Sequence, residues 1–168
     1  MNMRQLRELI VAPTLTSMAY HTGQPGWASD AAIELVMATG YTESRYEAVR
    51  QYARRDGRRG PARGMWQCEP RTHRDYWRWL EKKDLITAVE ATVGMDSPDL
   101  DALVFDLRYQ CLMARVHYRR IRAPLPVDQR SMALYWKKYY NSHLGAGTVE
   151  GFMRDHRRMR SLEKRQLL

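Results

Sequence analysis

The feature that most restricts the fold is an apolar stripe in the middle of the chain. Its members recur three or four positions apart: Leu100, Leu103, Val104, Leu107, Cys111 and Ala114. This spacing places side chains on one face of an α-helix. Ser97 and Pro98 precede the stripe and favour a helix start. The pattern predicts one long helix from about residue 98 to about residue 120, with one buried face.

Helical spacing continues along most of the chain, and no stretch alternates with period two for long enough to make a sheet. Pro13 is expected to stop a short helix over residues 2 to 11. Ser29 or Asp30 is expected to cap the next helix, whose apolar positions recur at helical spacing. The sequence therefore predicts a mainly α protein.

Further helix signals follow in the second half of the chain. Pro70 suits a first turn, and the helix is expected to continue to about residue 83. Another helix is predicted over residues 128 to 140, and Thr148 is expected to cap a basic last helix. A small hairpin in residues 55 to 67 is the only candidate strand pair. The length favours a single domain over residues 1 to 168.

The chain of 168 residues carries a net charge of +9. This favours an acidic partner, such as nucleic acid, an anionic surface or a cell-wall glycan. The densest runs are RRDGRRGPAR (residues 54 to 63) and RDHRRMRSLEKR (residues 154 to 165), and each could equally be a solvated face. No apolar run is long enough for a membrane span.

The two cysteines, Cys68 and Cys111, lie in apolar surroundings and are expected to be buried free thiols rather than a disulfide. No clustered His/Cys pattern indicates a zinc site. Neither a metal nor another cofactor is therefore expected.

Glu43 is the candidate catalytic residue. It lies near the end of the segment AAIELVMATGYTES and shares a helix face with Val36 and Gly40. Desolvation and the negative end of the helix dipole both raise the pKa of a carboxyl group in this position. A carboxyl group that is protonated near neutral pH suits a general acid. The alternative is an exposed Glu43 that pairs with Arg45 or Arg50.

The segment GPARGMWQCEP, residues 60 to 70, combines glycine and proline with unusual apolar bulk. With the end of the Glu43 helix, it resembles the lysozyme-like superfamily and, within it, the lytic transglycosylases. Those enzymes carry a helix ending in Glu-Ser, a Gly-Leu-Met-Gln-like segment followed by Pro and Thr, and an Ala-Tyr-Asn-like motif. The matching residues are Glu43-Ser44, then Gly60, Ala62, Gly64-Met65-Trp66-Gln67, Pro70 and Thr72, then Ala133 and Tyr139-Tyr140-Asn141.

The resemblance runs from about residue 30 to about residue 150 and implies a lysozyme-like fold. Residues 64 to 67 would then lie along a substrate cleft that faces Glu43. Gly64 would let the backbone approach sugar, and Met65 and Trp66 would form cleft wall and core. Gln67 would hydrogen-bond a sugar N-acetyl group or nearby backbone.

Other motif residues complete the implied substrate-binding set. Tyr139 or Tyr140 would contact the substrate or Glu43, and one of the two is expected to be core only. Ser44 and Asn141 belong to the same set.

The implied reaction cleaves the bond between N-acetylmuramic acid and N-acetylglucosamine, with Glu43 as general acid and then base. A transglycosylase can manage with one carboxylate, whereas a hydrolase usually needs a second. The candidates for a second carboxylate are Asp56, which is surrounded by arginines, and Glu69, which stands at a helix start. Neither is convincing, and this favours the transglycosylase reaction.

The segment YWKKYYNSHLGAGTVEGF also looks like that of bacteriophage virion proteins of this fold. We therefore expect synthesis in a bacterial cytoplasm without a signal peptide, association with a virion, and action on peptidoglycan at the periplasmic wall. Two alternatives stay open. One is a non-catalytic tail or neck protein that contacts other virion proteins. The other is a basic helical protein that binds nucleic acid, although no helix-turn-helix spacing or stacking platform is evident.

Overall fold

A computed structural model describes residues 1 to 50, 60 to 141 and 145 to 166. These residues are mainly helical, as the periodicity predicts. The α-helices are α1 Met3–Gln5, α2 Ala12–Thr22, α3 Asp30–Ser44, α4 Pro70–Lys82, α5 Ile86–Val93, α6 Ala102–Phe105, α7 Leu107–Arg119, α8 Gln129–Trp136 and α9 Val149–Arg165. Wider π-helical turns over Leu6–Val11 and Lys137–Asn141 and a 3₁₀ turn over Pro25–Trp27 complete the described helical structure.

Several predicted helix starts are confirmed. The side chain of Ser29 accepts a hydrogen bond from the backbone N–H of Ala32 and caps α3. The Thr148 side chain accepts from the N–H of Gly151 and caps α9. Pro70 begins α4, where its missing N–H costs nothing. These short polar and proline signals act locally, so the sequence alone is enough to place them.

The prediction that Pro13 stops the first helix is wrong. The helical path continues from Met3 to Thr22, and Pro13 stands in the first turn of α2. Just before it, the N–H of Ala12 donates to the carbonyl of Arg7, five residues back. This wider turn accommodates a ring that would otherwise crowd the preceding turn.

The prediction of one long helix over residues 98 to 120 is also wrong in its first third. Asp106 is extended, with φ −107° and ψ 105°, and it separates α6 from α7. Its carboxylate accepts hydrogen bonds from the N–H groups of Arg108 and Tyr109. The aspartate therefore restarts the helix, because its side chain replaces the missing backbone acceptors.

The predicted hairpin falls partly on residues 55 to 59, which lie outside the described residues. In the described part of this region, the structure has only two isolated antiparallel bridges, Arg50 with Arg63 and Arg63 with Cys68. Between Arg63 and Cys68, both Gly64 and Gln67 have a positive φ, of +75° and +50°. A tight turn thus takes the place of a ladder of strands.

The described core consists of two buried clusters, one containing Trp66 and Trp136 and the other Trp27 and Trp77. Helix α7 contributes to both. The residues of α7 that belong to one cluster or the other are Tyr109, Cys111, Leu112, Met113, Ala114, Val116 and Tyr118. Helix α3 packs against α9, and α2 against α5. The predicted buried helix is therefore present as α7, and the end of α3 is held at its side.

Candidate functional site

One cleft of about 630 Å³ lies between the end of α3, the turn over residues 62 to 69, the start of α4 and the π-helical turn after α8. Its lining residues are Glu43, Ala48, Ala62, Gln67, Cys68, Glu69, Thr72, Tyr76, His117, Tyr140, Asn141, Gly145 and Ala146. Its volume is in the range of small-ligand sites. The cleft brings together parts of all three motifs that the sequence analysis singled out.

Glu43 is the residue before the last of α3, and its side chain lines this cleft. The indole Nε1 of Trp136 donates a hydrogen bond of 3.0 Å to its Oε1. Arg45, one of its candidate ion-pair partners, instead reaches Asp155 at 3.0 Å. Among the described residues, Glu43 takes part in no ion pair, so the exposed, charge-paired alternative does not describe it.

The environment of Glu43 favours its protonated form. Desolvation by burial raises the pKa of this carboxyl group from 4.5 to about 7, although the hydrogen bond from Trp136 works in the opposite direction. Since no cation among the described residues offsets the desolvation, this carboxyl group exchanges its proton near neutral pH. Such a carboxyl group can donate a proton and take one back in the same reaction cycle.

Trp136 holds the carboxyl group from the last turn of α8. Its ring is buried, with 1% exposure, and stacks at 5.2 Å and 32° on Phe152 of α9. The donor nitrogen is therefore held in place, because Trp136 belongs to α8 and its ring packs against α9. The donor and the acceptor are 93 positions apart in sequence, which explains why helical periodicity alone did not reveal this partner.

Gly64, which was predicted to approach sugar, and Met65 and Trp66, which were predicted to form cleft wall and core, are all buried and do not line the cleft. Gly64 faces the carbonyl of Leu103, which a Cβ atom would approach to 2.2 Å. The N–H of Met65 donates to Gln110 Oε1 at 2.7 Å, and Trp66 Nε1 donates to the carbonyl of Val36 at 2.8 Å. Met65 and Trp66 are buried, at 8% and 1% exposure. For this turn, the core half of the prediction is the correct one.

Gln67, Tyr140 and Asn141 do line the cleft. Gln67 Nε2 donates to the carbonyl of Gly64 at 2.8 Å, which is the nearby-backbone alternative of the prediction. The Tyr140 hydroxyl donates to the carbonyl of Trp66 at 2.6 Å and ties the π-helical turn to the glycine turn. Asn141 Oδ1 accepts from Lys137 Nζ at 2.8 Å.

Ser44 and Tyr139 do not line the cleft. The Ser44 hydroxyl donates to the carbonyl of Gly40 and accepts from the N–H of Tyr46, so it closes the end of α3. The ring of Tyr139 packs at 4.6 Å against that of Tyr135. Both side chains make structural contacts, and for the two tyrosines this matches the expectation that one of them belongs to the core only.

Of the two candidates for a second carboxylate, Glu69 lines the cleft and Asp56 lies outside the described residues. Glu69 is exposed and precedes α4, where its side chain caps no N–H group. Arg63, the last of the five arginines in the basic run over residues 54 to 63, pairs with Asp101 at 3.0 Å and donates to the carbonyl of Leu100. The other four, Arg54, Arg55, Arg58 and Arg59, lie outside the described residues.

Two further residues of the cleft were missed by sequence reasoning, His117 and Tyr76. His117 Nε2 lies 2.5 Å from the carbonyl oxygen of Tyr139, which can only accept, so this nitrogen carries the hydrogen. Its Nδ1 then accepts from the Tyr76 hydroxyl at 2.7 Å. Burial lowers the pKa of His117 to about 4. His117 and Tyr76 thus form a neutral hydrogen-bond network in the cleft wall, and both ring nitrogens of His117 are occupied.

Both cysteines are buried free thiols, as predicted, and Cys68 borders the cleft. The described residues contain no group of three or more His, Cys, Asp or Glu side chains that could hold a metal ion. Of these residues, no helix has both the length and the apolar character needed to cross a bilayer. Comparison with family models, with curated proteins and with solved structures finds no match to this chain.

Proposed function

We propose that the protein is a lysozyme-like enzyme that cleaves peptidoglycan glycan strands, with Glu43 as its general acid and base. The single observation that carries the proposal is the position of Glu43. Its carboxyl group lines a 630 Å³ cleft, accepts one hydrogen bond from Trp136 and has a pKa of about 7. The resemblance of the three motifs to lytic transglycosylases supplies the reaction class.

The first chemical step uses the protonated form of Glu43. Its carboxyl proton passes to the oxygen of the glycosidic bond while the bond between that oxygen and the sugar C1 breaks. Positive charge develops on the sugar ring and negative charge on the carboxylate. The indole N–H of Trp136 then stabilises this carboxylate, because a hydrogen-bond donor favours the charged form.

The second step returns the proton. In the transglycosylase reaction, the carboxylate of Glu43 removes the proton from the muramoyl 6-hydroxyl as that oxygen bonds to C1, and a 1,6-anhydro ring forms. Only one carboxylate is required. This agrees with a cleft in which Glu69, the only other described carboxylate in the lining, is exposed to solvent and caps no N–H group of α4.

A virion association of this enzyme is part of the proposal and rests on the resemblance alone. The positive charge of the chain agrees with an acidic polymer as substrate. Peptidoglycan carries carboxylates on its peptides, and a net charge of +9 would raise the local concentration of such a polymer around the protein.

The test is digestion of purified peptidoglycan followed by mass spectrometry of the soluble products. The parent protein is expected to release anhydro-ended fragments, and Glu43→Gln to release none. Glu69→Gln is the matched control, because it makes the same chemical change at an exposed position of the same cleft, and it is expected to retain most of the activity. Circular dichroism spectra of the variants must agree with that of the parent.

Other products decide between the remaining alternatives. Reducing ends, with activity lost in Glu69→Gln, would indicate a hydrolase that uses both carboxylates. If the parent releases no fragments from any peptidoglycan tested, the enzymatic proposal is wrong and a non-catalytic virion protein becomes the better description.

A further inference from the structure

A second cavity, of about 320 Å³, lies on another face of α7 and shares no lining residue with the cleft. Its walls are the end of α7, the segment after it and the loop that leads into α3. Arg115, Arg119 and Arg122 all line it. Arg115 and Arg119 are one helical turn apart, so both guanidinium groups extend from the same face of α7.

The guanidinium group of Arg115 is deeply buried yet incompletely paired. The residue is 2% exposed. Its Nε donates to the carbonyl of Trp27 at 3.0 Å, and its Nη2 donates to the carbonyl of Gly26 at 2.7 Å. Its Nη1 is buried and has no hydrogen-bond partner in the described part of the chain. Two neutral carbonyl groups therefore orient the cation but leave its charge without a counter-ion.

Arg119 is in a similar position. Its Nη2 donates to Gln24 Oε1, a neutral acceptor, while its Nε is buried without a partner among the described residues. Its guanidinium carbon lies 5.0 Å from the ring centroid of Trp27, and that of Arg115 lies 5.8 Å from the same ring. One indole thus holds both cations close to each other.

No carboxylate within the described residues pairs with Arg115, Arg119 or Arg122, although ion pairs form elsewhere in the described part of the chain. Asp30 is next to the cavity in sequence, but its side chain lines a different cavity, beside Arg7. Burial, and to a lesser degree the neighbouring charge of Arg119, lower the pKa of Arg115 to about 10. A buried cation without an opposite charge is costly, and a bound anion would remove that cost.

We propose that this cavity is a binding site for a phosphate-class oxyanion, either free phosphate or a small phosphate ester. Guanidinium groups match the geometry of phosphate oxygens and bind them with two hydrogen bonds at once. Several cations around one small cavity suit a dianion better than a monoanion such as a carboxylate. The volume lies at the lower end of small-ligand sites, which leaves room for a short organic group on the phosphate.

The experiment is isothermal titration calorimetry with inorganic phosphate, glycerol 3-phosphate and acetate, at constant ionic strength set with chloride. Arg119→Gln/Arg122→Gln removes two of the three cations but spares Arg115, whose loss would free the carbonyls of Gly26 and Trp27 and could unfold the loop. The matched control is Arg74→Gln/Arg158→Gln, which removes the same charge from two exposed positions. We expect phosphate to bind the parent and the control equally, and the test variant at least about tenfold more weakly.

The two phosphate ligands distinguish the source of the anion. Tighter binding of glycerol 3-phosphate indicates an ester, and tighter binding of inorganic phosphate indicates the free ion. The proposal is overturned if acetate binds as tightly as phosphate, if no phosphate binding is detected, or if both double variants lose affinity equally. Glu43→Gln is expected to bind phosphate like the parent, so this result is independent of the proposed glycan cleavage.

Discussion

The indole nitrogen of Trp136 donates a 3.0 Å hydrogen bond to the carboxyl group of Glu43, across 93 residues of chain. The two residues come from the end of α8 and the end of α3. Since the indole can only donate, this contact favours the ionised carboxylate. It therefore limits how far burial can raise the pKa of Glu43, and it keeps that pKa near neutrality rather than well above it.

Trp136→Phe is expected to raise the pKa of Glu43 above its value of about 7. The change removes the donor but keeps an aromatic ring to pack on Phe152. A hydrogen bond of this kind contributes about 1 kcal/mol, which corresponds to less than about one pH unit. Titration of the ¹³C-labelled glutamate side chains by NMR measures the shift. Trp79→Phe on α4 serves as the control, and an unchanged or lower pKa of Glu43 in Trp136→Phe would contradict the role of the indole.

Glu43→Gln is expected to stabilise the fold at alkaline pH. The folded pKa of about 7 lies above the ordinary 4.5, so the folded protein binds this proton more tightly than the unfolded chain. The stability that Glu43 contributes is thus present below about pH 4.5 and is lost as pH rises through 7. The variant, which never ionises, should gain about 2 to 3 kcal/mol relative to the parent between pH 4.5 and pH 8.

Urea unfolding of both proteins at pH 4.5 and pH 8 measures this difference. Glu69→Gln, at an exposed position, is expected to show no comparable change between the two pH values. An equal free-energy difference between Glu43→Gln and the parent at both pH values would mean that the carboxyl group is solvated in the folded state.

Several helix starts, and the position of Glu43 on a helix face shared with Val36 and Gly40, were predictable because both depend on local patterns. The helix starts at Ser29, Pro70 and Thr148 follow from single side chains that satisfy or lack nearby backbone N–H groups. The continuation through Pro13 was not predictable, because the wider turn that accepts the proline depends on packing over the whole N-terminal helix.

The composition of the cleft was predicted less well than its location. Apolar bulk beside a glycine suits a cleft wall and a core equally, and only the contact of Trp66 with the Val36 carbonyl decides for the core. The saturated pair of His117 and Tyr76 joins two helices, and neither residue stands in a motif. Contacts of this kind have no signal in a single sequence, since each partner has an ordinary place on its own helix.

Glu34 is expected to stabilise the fold strongly at neutral pH. Burial would raise the pKa of this carboxyl group, but the hydrogen bond from His156 and the charges of Arg7 and Arg160 together lower it to about 2. The stability that the ionised Glu34 contributes is therefore fully present above about pH 4.5 and is lost as pH falls through 2. Glu34→Gln should lower the free energy of unfolding by about 3 kcal/mol at pH 7 and by much less near pH 2.

Denaturant unfolding at pH 7 and pH 2 tests this dependence on pH. The matched variant is Glu8→Gln, which breaks an exposed pair with Arg4 and should cost no more than about 0.5 kcal/mol at either pH. A loss for Glu34→Gln that does not shrink in acid would show that packing, rather than the ionised carboxylate, accounts for it.

Gly64→Ala is expected to destabilise the protein more than Gly94→Ala, although both glycines have a φ of +75°. At Gly94 nothing lies within 4 Å of an added Cβ atom, so this variant suffers only the strain of a left-handed backbone, about 1 kcal/mol. At Gly64 the same atom would approach the Leu103 carbonyl to 2.2 Å and would also press on Gln110, which holds the N–H of Met65. The turn that borders the cleft must then move, and we expect an additional loss of about 2 kcal/mol or more in chemical denaturation. Equal losses for the two variants would mean that the turn is not pressed against α6 and α7, and that the wall of the cleft beside Gln67 is positioned by other contacts.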